Sequence, residues 1–100
     1  MKNHFKELDK LEQYLKDHDI PYERIDEYTI PVDRHQIIVP GAMNRKWDAI
    51  CHRGSYGYEE GLLEIMGSIS REDDDVEGWL TAEDVIERIE EVEDGKNNKV

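Results

Sequence analysis

The chain has a single cysteine, Cys51, so no internal disulfide can form and nothing calls for an oxidising compartment. It has no apolar run close to the roughly 20 residues that a membrane-spanning helix needs. Residues 1–16 carry charges throughout and lack the apolar centre of a secretory leader, which sets a cytoplasmic location as the expectation. Cations are scarce. Thirteen Lys and Arg stand against 25 Asp and Glu, for a net charge of −12. Such a chain repels phosphate and has few cations with which to displace its counterions, so direct binding to nucleic acid or to an anionic membrane is not expected. A basic protein is the natural partner.

One hundred residues suffice for one domain, which at this size buries about two thirds of the surface of its unfolded chain. Hydrophobic residues (37%) are matched by charged ones (38%), but the apolar positions cluster periodically, as they do not in disordered chains. The charge is uneven. Residues 1–58 are nearly balanced, at −1, and residues 59–100 carry −11. Solubility alone would explain an acidic surface; a basic partner would explain its concentration in one half.

Residues 3–18 read as an amphipathic helix, with Phe5, Leu8, Leu11 and Leu15 on one stripe and Pro21 beyond its end. Residues 22–28 and 35–39 read as strands, and Pro40-Gly41 as a turn into a third, antiparallel strand at 47–52. Period two puts Trp47, Ala49 and Cys51 on the core face of that strand, with Asp48, Ile50 and His52 opposite. Leu62, Ile65, Met66 and Ile69 have helical spacing and predict a second helix over 58–69. An acidic loop over 71–77 follows. Thr81, with Asp84 three residues on, predicts the cap of a third helix that buries Val85, Ile86, Ile89 and Val92 and ends at Gly95. The expected fold is α+β: an N-terminal helix, a three-stranded antiparallel sheet and two C-terminal helices packed on one face, with a domain over 1–95 and a disordered tail at 96–100. If residues 22–28 lie at a sheet edge, they could pair with a second copy to make a homodimer.

Residues 73–84 resemble the 12-residue EF-hand calcium loop, and more closely its dockerin variant, which ends in Asp. Ligand positions 1, 3, 5, 7, 9 and 12 fall on Asp73, Asp75, Glu77, the carbonyl of Trp79, Thr81 and Asp84, with Gly78 at position 6. This resemblance implies a calcium-binding module. Against it, Glu77 is longer than the usual Asp or Asn, Asp84 reaches less far than Glu, and Thr81 with Asp84 already forms a helix cap.

Other chemistry is sparse. Cys51 and His52 are strand neighbours and face opposite ways, so they cannot act as a nucleophile and its base. His35 could approach Cys51 from an adjacent strand, in a register the sequence leaves open. Residues 53–58 form a glycine-rich corner whose backbone N–H groups could hold an anion, but Glu59 and Glu60 follow it directly. Tyr56 and Tyr58 are candidate surface contacts there, and Trp47 and Trp79 are either core residues or partner anchors.

The stretches 47–64 and 78–86, with the opening pattern at 15–25, are similar to those of small bacteriophage and prophage proteins of unassigned role. That resemblance implies a phage-associated accessory protein and brings no catalytic motif. Some acidic phage proteins inhibit DNA-handling enzymes by presenting carboxylates in place of phosphates. Helical spacing puts Glu83, Glu87, Glu90 and Asp94 on one stripe of the last helix, where an ordinary solvated face is the simpler explanation. The expectation is therefore a non-enzymatic interaction protein, with no cofactor, that binds a basic protein surface through its acidic half; the alternative is calcium binding at 73–84.

Overall fold

The computed structural model describes residues 4–27, 33–70 and 76–97, the last five of these as backbone only. Helix α1 (Lys6–Asp17) precedes strands β1 (Glu23–Glu27), β2 (Arg34–Val39), β3 (Trp47–Ile50), β4 (Leu63–Gly67) and β5 (Val76–Leu80), and helix α2 (Ala82–Asn97) follows them. The strands form one antiparallel sheet in the order β1-β2-β3-β4-β5, so every strand pairs with its neighbours in sequence.

This corrects the expected three-stranded sheet and its three helices. Residues 58–69 do not form a helix. Tyr58–Glu60 make a single 3-10 turn, and the following residues enter the sheet as β4. The helical spacing of Leu62, Ile65, Met66 and Ile69 coexists there with a strand alternation, in which Leu63 and Ile65 are buried and Met66 is exposed. The run is too short for periodicity to separate the two states. Gly67 settles it, with φ +115 and a backbone so close to β3 that a Cβ would lie 2.4 Å from the Lys46 carbonyl oxygen. Val76 and Glu77, expected in the acidic loop, begin β5; residues 71–75 of that loop lie outside the described residues. Helix α2 continues two residues past Gly95, so Lys96 and Asn97 are helical rather than tail. Val92, expected in the core, is 38% exposed.

Both helices share one hydrophobic core with the sheet. Alternation along the strands aligns Ile37, Ala49 and Ile65 across β2, β3 and β4, with Val39 opposite Trp47 beside them. Leu8, Leu11 and Leu15 of α1 and Ala82, Val85 and Ile89 of α2 close over this row. The expected core face of β3 is correct: Trp47, Ala49 and Cys51 are all buried. On the opposite face, the Gln36 amide donates to the buried Asp48 carboxylate, with Arg34 donating to Gln36 and Arg45 lying 3.5 Å from Asp48.

Polar contacts bind the helices to this frame. Thr81 and Asp84 form the reciprocal cap: the Thr81 N–H donates to Asp84 Oδ2 at 3.0 Å and the Asp84 N–H to Thr81 Oγ1 at 3.1 Å. The Ala82 N–H donates to Glu7 Oε1 of α1 at 2.8 Å, and Tyr14 reaches Glu90. Arg24 of β1 donates to Asp9, Glu12 and Asp26. Burial alone would lower its pKa, but the hydrogen bonds to Asp9 and Glu12 and the charges of Asp26 and Asp9 outweigh that and raise it. Arg88, nearly buried on α2, clasps Glu77 of β5 through Nε and Nη2.

Candidate partner-binding site

The pairing of β4 with β5 slips between Leu63 and Ile65. Leu63 faces Leu80 and Ile65 faces Glu77, so two steps along β4 match three along β5. The extra residue makes a bulge at Gly78-Trp79, and Trp79 takes φ +61. A bulky side chain in the left-handed region costs on the order of 1–3 kcal/mol, and such residues cluster at functional sites. The result of the bulge is an indole that is 59% exposed.

The corner at 53–59 packs directly onto this bulge. Gly78 permits the approach, since a Cβ there would lie 2.4 Å from Tyr56 Cβ; Gly57, at φ +95, would place a Cβ 2.9 Å from Leu62 Cβ and 3.2 Å from Trp79 Cα. The Trp79 N–H points to the Tyr56 carbonyl at 3.4 Å. Between corner and bulge lies a cleft of about 460 Å³ lined by Arg53, Gly54, Ser55, Tyr56, Gly57, Tyr58, Glu59 and Trp79. Tyr56 is 59% exposed like Trp79, whereas Tyr58 packs partly against the core and accepts a hydrogen bond at its carbonyl from the His4 ring.

Several N–H groups of the corner are committed to acceptors within the fold. The Ser55 N–H donates to the His52 carbonyl, the Tyr56 N–H to Glu64 Oε1 at 2.9 Å, the Tyr58 N–H to the Ser55 carbonyl, and the Glu60 and Leu62 N–H groups to the Gly57 carbonyl. With these donors committed, the lining offers the exposed rings of Tyr56 and Trp79, one acid, Glu59, and one base, Arg53.

The second feature is the exposed side of α2. Glu83, Glu87, Glu90 and Glu91 are all exposed, while Val85, Arg88 and Ile89 turn inward. Asp94 lies on the same helix, with its side chain outside the described atoms. At a rise of about 1.5 Å per residue, Glu83, Glu87 and Glu90 give one carboxylate per ~5 Å of helix axis, against one phosphate per ~1.7 Å of duplex DNA. The row is thus an acidic face of moderate density, not a phosphate-for-phosphate copy.

The remaining candidates are dispersed or occupied. Asp73 and Asp75 lie outside the described residues. Glu77 is clasped by Arg88, Thr81 and Asp84 bond to each other, and the segment before the loop is a strand where an EF-hand has a helix. Among the described residues, no three His, Cys, Asp or Glu side chains converge as a metal site. His35 does meet Cys51 across β2 and β3, with the Cys51 N–H donating to the His35 carbonyl at 3.0 Å. Its ring, however, stacks on Phe5 and directs Nδ1 to Asp26 (2.9 Å) and Nε2 to Asp33 (3.4 Å). Both ring nitrogens are thus engaged by carboxylates rather than by Cys51. Burial, helped by the Asp33 charge, pushes the Cys51 thiol up to about 11, far from a reactive thiolate.

Sequence reasoning named Tyr56, Tyr58 and Trp79 separately and missed that a bulge joins them. The available signal was Gly57 and Gly78, each beside an aromatic residue, where close backbone approach is the reason for glycine. Comparison with known proteins returned no matching family model, no similar curated protein and no similar solved structure.

Proposed function

We propose that this chain is a non-enzymatic interaction protein that binds a basic surface of a DNA-handling protein, in the manner of a phage-encoded accessory or inhibitory factor. The observation that carries the reading is the solvent-facing row of Glu83, Glu87 and Glu90 on a helix whose buried side is fixed by the core and by the Arg88–Glu77 clasp. A rigid row of like charges costs helix stability, by about 0.2–0.5 kcal/mol for each close pair, and an oppositely charged partner reverses that cost on binding. The ~5 Å spacing favours a positively charged protein groove over strict imitation of the DNA backbone. Complementary charge of this kind chiefly accelerates encounter and makes binding fall with salt.

The test uses a panel of purified DNA-cleaving enzymes, with lysozyme as a basic protein that handles no DNA. At least one nuclease should be inhibited and bound, more strongly at about 50 mM than at 200 mM salt, and the triple variant E83Q/E87Q/E90Q should lose most of that effect. Equal inhibition by the triple variant, equal binding to lysozyme, or no binding to any nuclease would overturn the proposal.

A further inference from the structure

We infer that the Tyr56–Trp79 cleft is the anchor point for one arginine side chain of that basic partner, an assignment that rests on the acidic-face reading and adds a defined pocket to it. Three independent features converge. The bulge holds Trp79 in a left-handed conformation that a glycine or asparagine would adopt at lower cost, and thereby keeps its indole exposed beside Tyr56. Glu59 lines the same cleft, and the corner's Ser55, Tyr56 and Tyr58 N–H groups are committed to other acceptors. A guanidinium suits this set because it stacks flat on aromatic faces while its edge donates to a carboxylate. An anion would have Arg53 as its counter-charge but would leave the two exposed aromatic faces unused. Residues 59–100, which supply Glu59 and Trp79 to the cleft, carry −11, and a chain of net charge −12 attracts cations. Arg53 is the cation among the lining residues and opposes the occupant, which gives a prediction of opposite sign.

The probes are acetylated, amidated hexa-arginine, hexa-lysine and hexa-citrulline peptides, titrated against the full chain at low salt and read by tryptophan emission. Trp47 is buried, so a change in emission reports on exposed Trp79. Hexa-arginine should bind on the order of five- to tenfold more tightly than hexa-lysine, and hexa-citrulline should not bind. By calorimetry, which does not need the Trp79 reporter, W79N, whose asparagine accepts the left-handed backbone, and Y56L should each weaken hexa-arginine at least fivefold while circular dichroism shows the fold intact. W79F should restore part of the loss, measured by calorimetry, and R53Q should tighten binding. E83Q/E87Q/E90Q should weaken both cationic peptides alike and leave the emission change at saturation intact. Unchanged hexa-arginine affinity in both W79N and Y56L, or equal affinity for arginine and lysine peptides, overturns the cleft and leaves the acidic face standing. Failure of hexa-arginine to bind at all overturns both.

Discussion

Arg88 and Glu77 are the pair whose removal should be most costly. Their side chains are only 10% and 11% exposed, and Nε and Nη2 both reach the carboxylate, in a clasp that ties β5 to α2. Replacing Arg88 with methionine keeps most of the side chain's volume and removes the counter-charge from a carboxylate that stays in a sheltered site. Breaking a buried pair this way costs about 3–5 kcal/mol. A domain of this size has a total stability of roughly 5–15 kcal/mol, so R88M should sacrifice about a fifth or more of it. The converse variant, E77L, should cost less, because Arg88 keeps Glu87 at 3.9 Å from Nη1. The double variant E77L/R88M removes both charges from the buried site and should lie within about 1.5 kcal/mol of wild type, giving a coupling of several kcal/mol. Urea denaturation followed by circular dichroism measures all four corners of the cycle. Screening is weak for buried charges, so the coupling should survive about 0.5 M salt; the Lys10–Glu7 pair, 3.7 Å apart and open to solvent at Lys10, should show less than about 1 kcal/mol and lose it. Costs that add to within about 0.5 kcal/mol would refute the reasoning, because the two side chains would then not be acting as a unit.

Cys51 should resist thiol reagents at pH 8 in the folded protein and react freely in urea. With its pKa raised from 9.0 to about 11, its protonated form favours the native state; that contribution, roughly 2–3 kcal/mol, is whole below pH 9 and is lost as pH rises to 11. Wild type should therefore lose stability relative to C51A across that window, and parallel curves would refute the assignment. G67A should destabilise by about 3 kcal/mol, since its Cβ meets the Lys46 carbonyl at positive φ, whereas G54A, with open space around it, should cost only about 1 kcal/mol in urea titrations. W79N should remain within about 1 kcal/mol of wild type, because relief of the left-handed strain offsets the lost contacts of a half-exposed ring. Millimolar calcium should raise the melting temperature no more than magnesium does, because Glu77 is held by Arg88 and Thr81 by Asp84; a calcium-specific rise abolished by D73A would reverse this.

The elements with one strong local signal were legible. The leucine stripe of α1, the Thr81–Asp84 cap of α2 and the inward face of β3 follow from spacing alone. Strand β4 was not legible, because Leu62, Ile65, Met66 and Ile69 satisfy a helical period, and the deciding fact is the contact between Gly67 and Lys46 twenty-one positions earlier. Strand β5 was obscured by its acids: Glu77 looks like a solvated loop residue until Arg88 is brought beside it. The acidic face of α2 could be read from residue types, while the cleft could not, since the bulge that unites Tyr56 with Trp79 exists only once β4 and β5 are paired. The two carboxylates around His35 were hidden for the same reason: Asp26 reaches it through the β1–β2 register.

The contact between α1 and α2, at Glu7 with Ala82 and Tyr14 with Glu90, also bears on how the chain is made. Every strand pairs with the one before it, so the sheet can be assembled in the order in which the ribosome delivers it. Helix α1 is delivered before the sheet, yet part of its cover comes from α2, which follows the last strand. Until then Leu8, Leu11 and Leu15 have only the growing sheet to shelter them, and this is the interval in which the nascent chain is most open to chaperones and to aggregation.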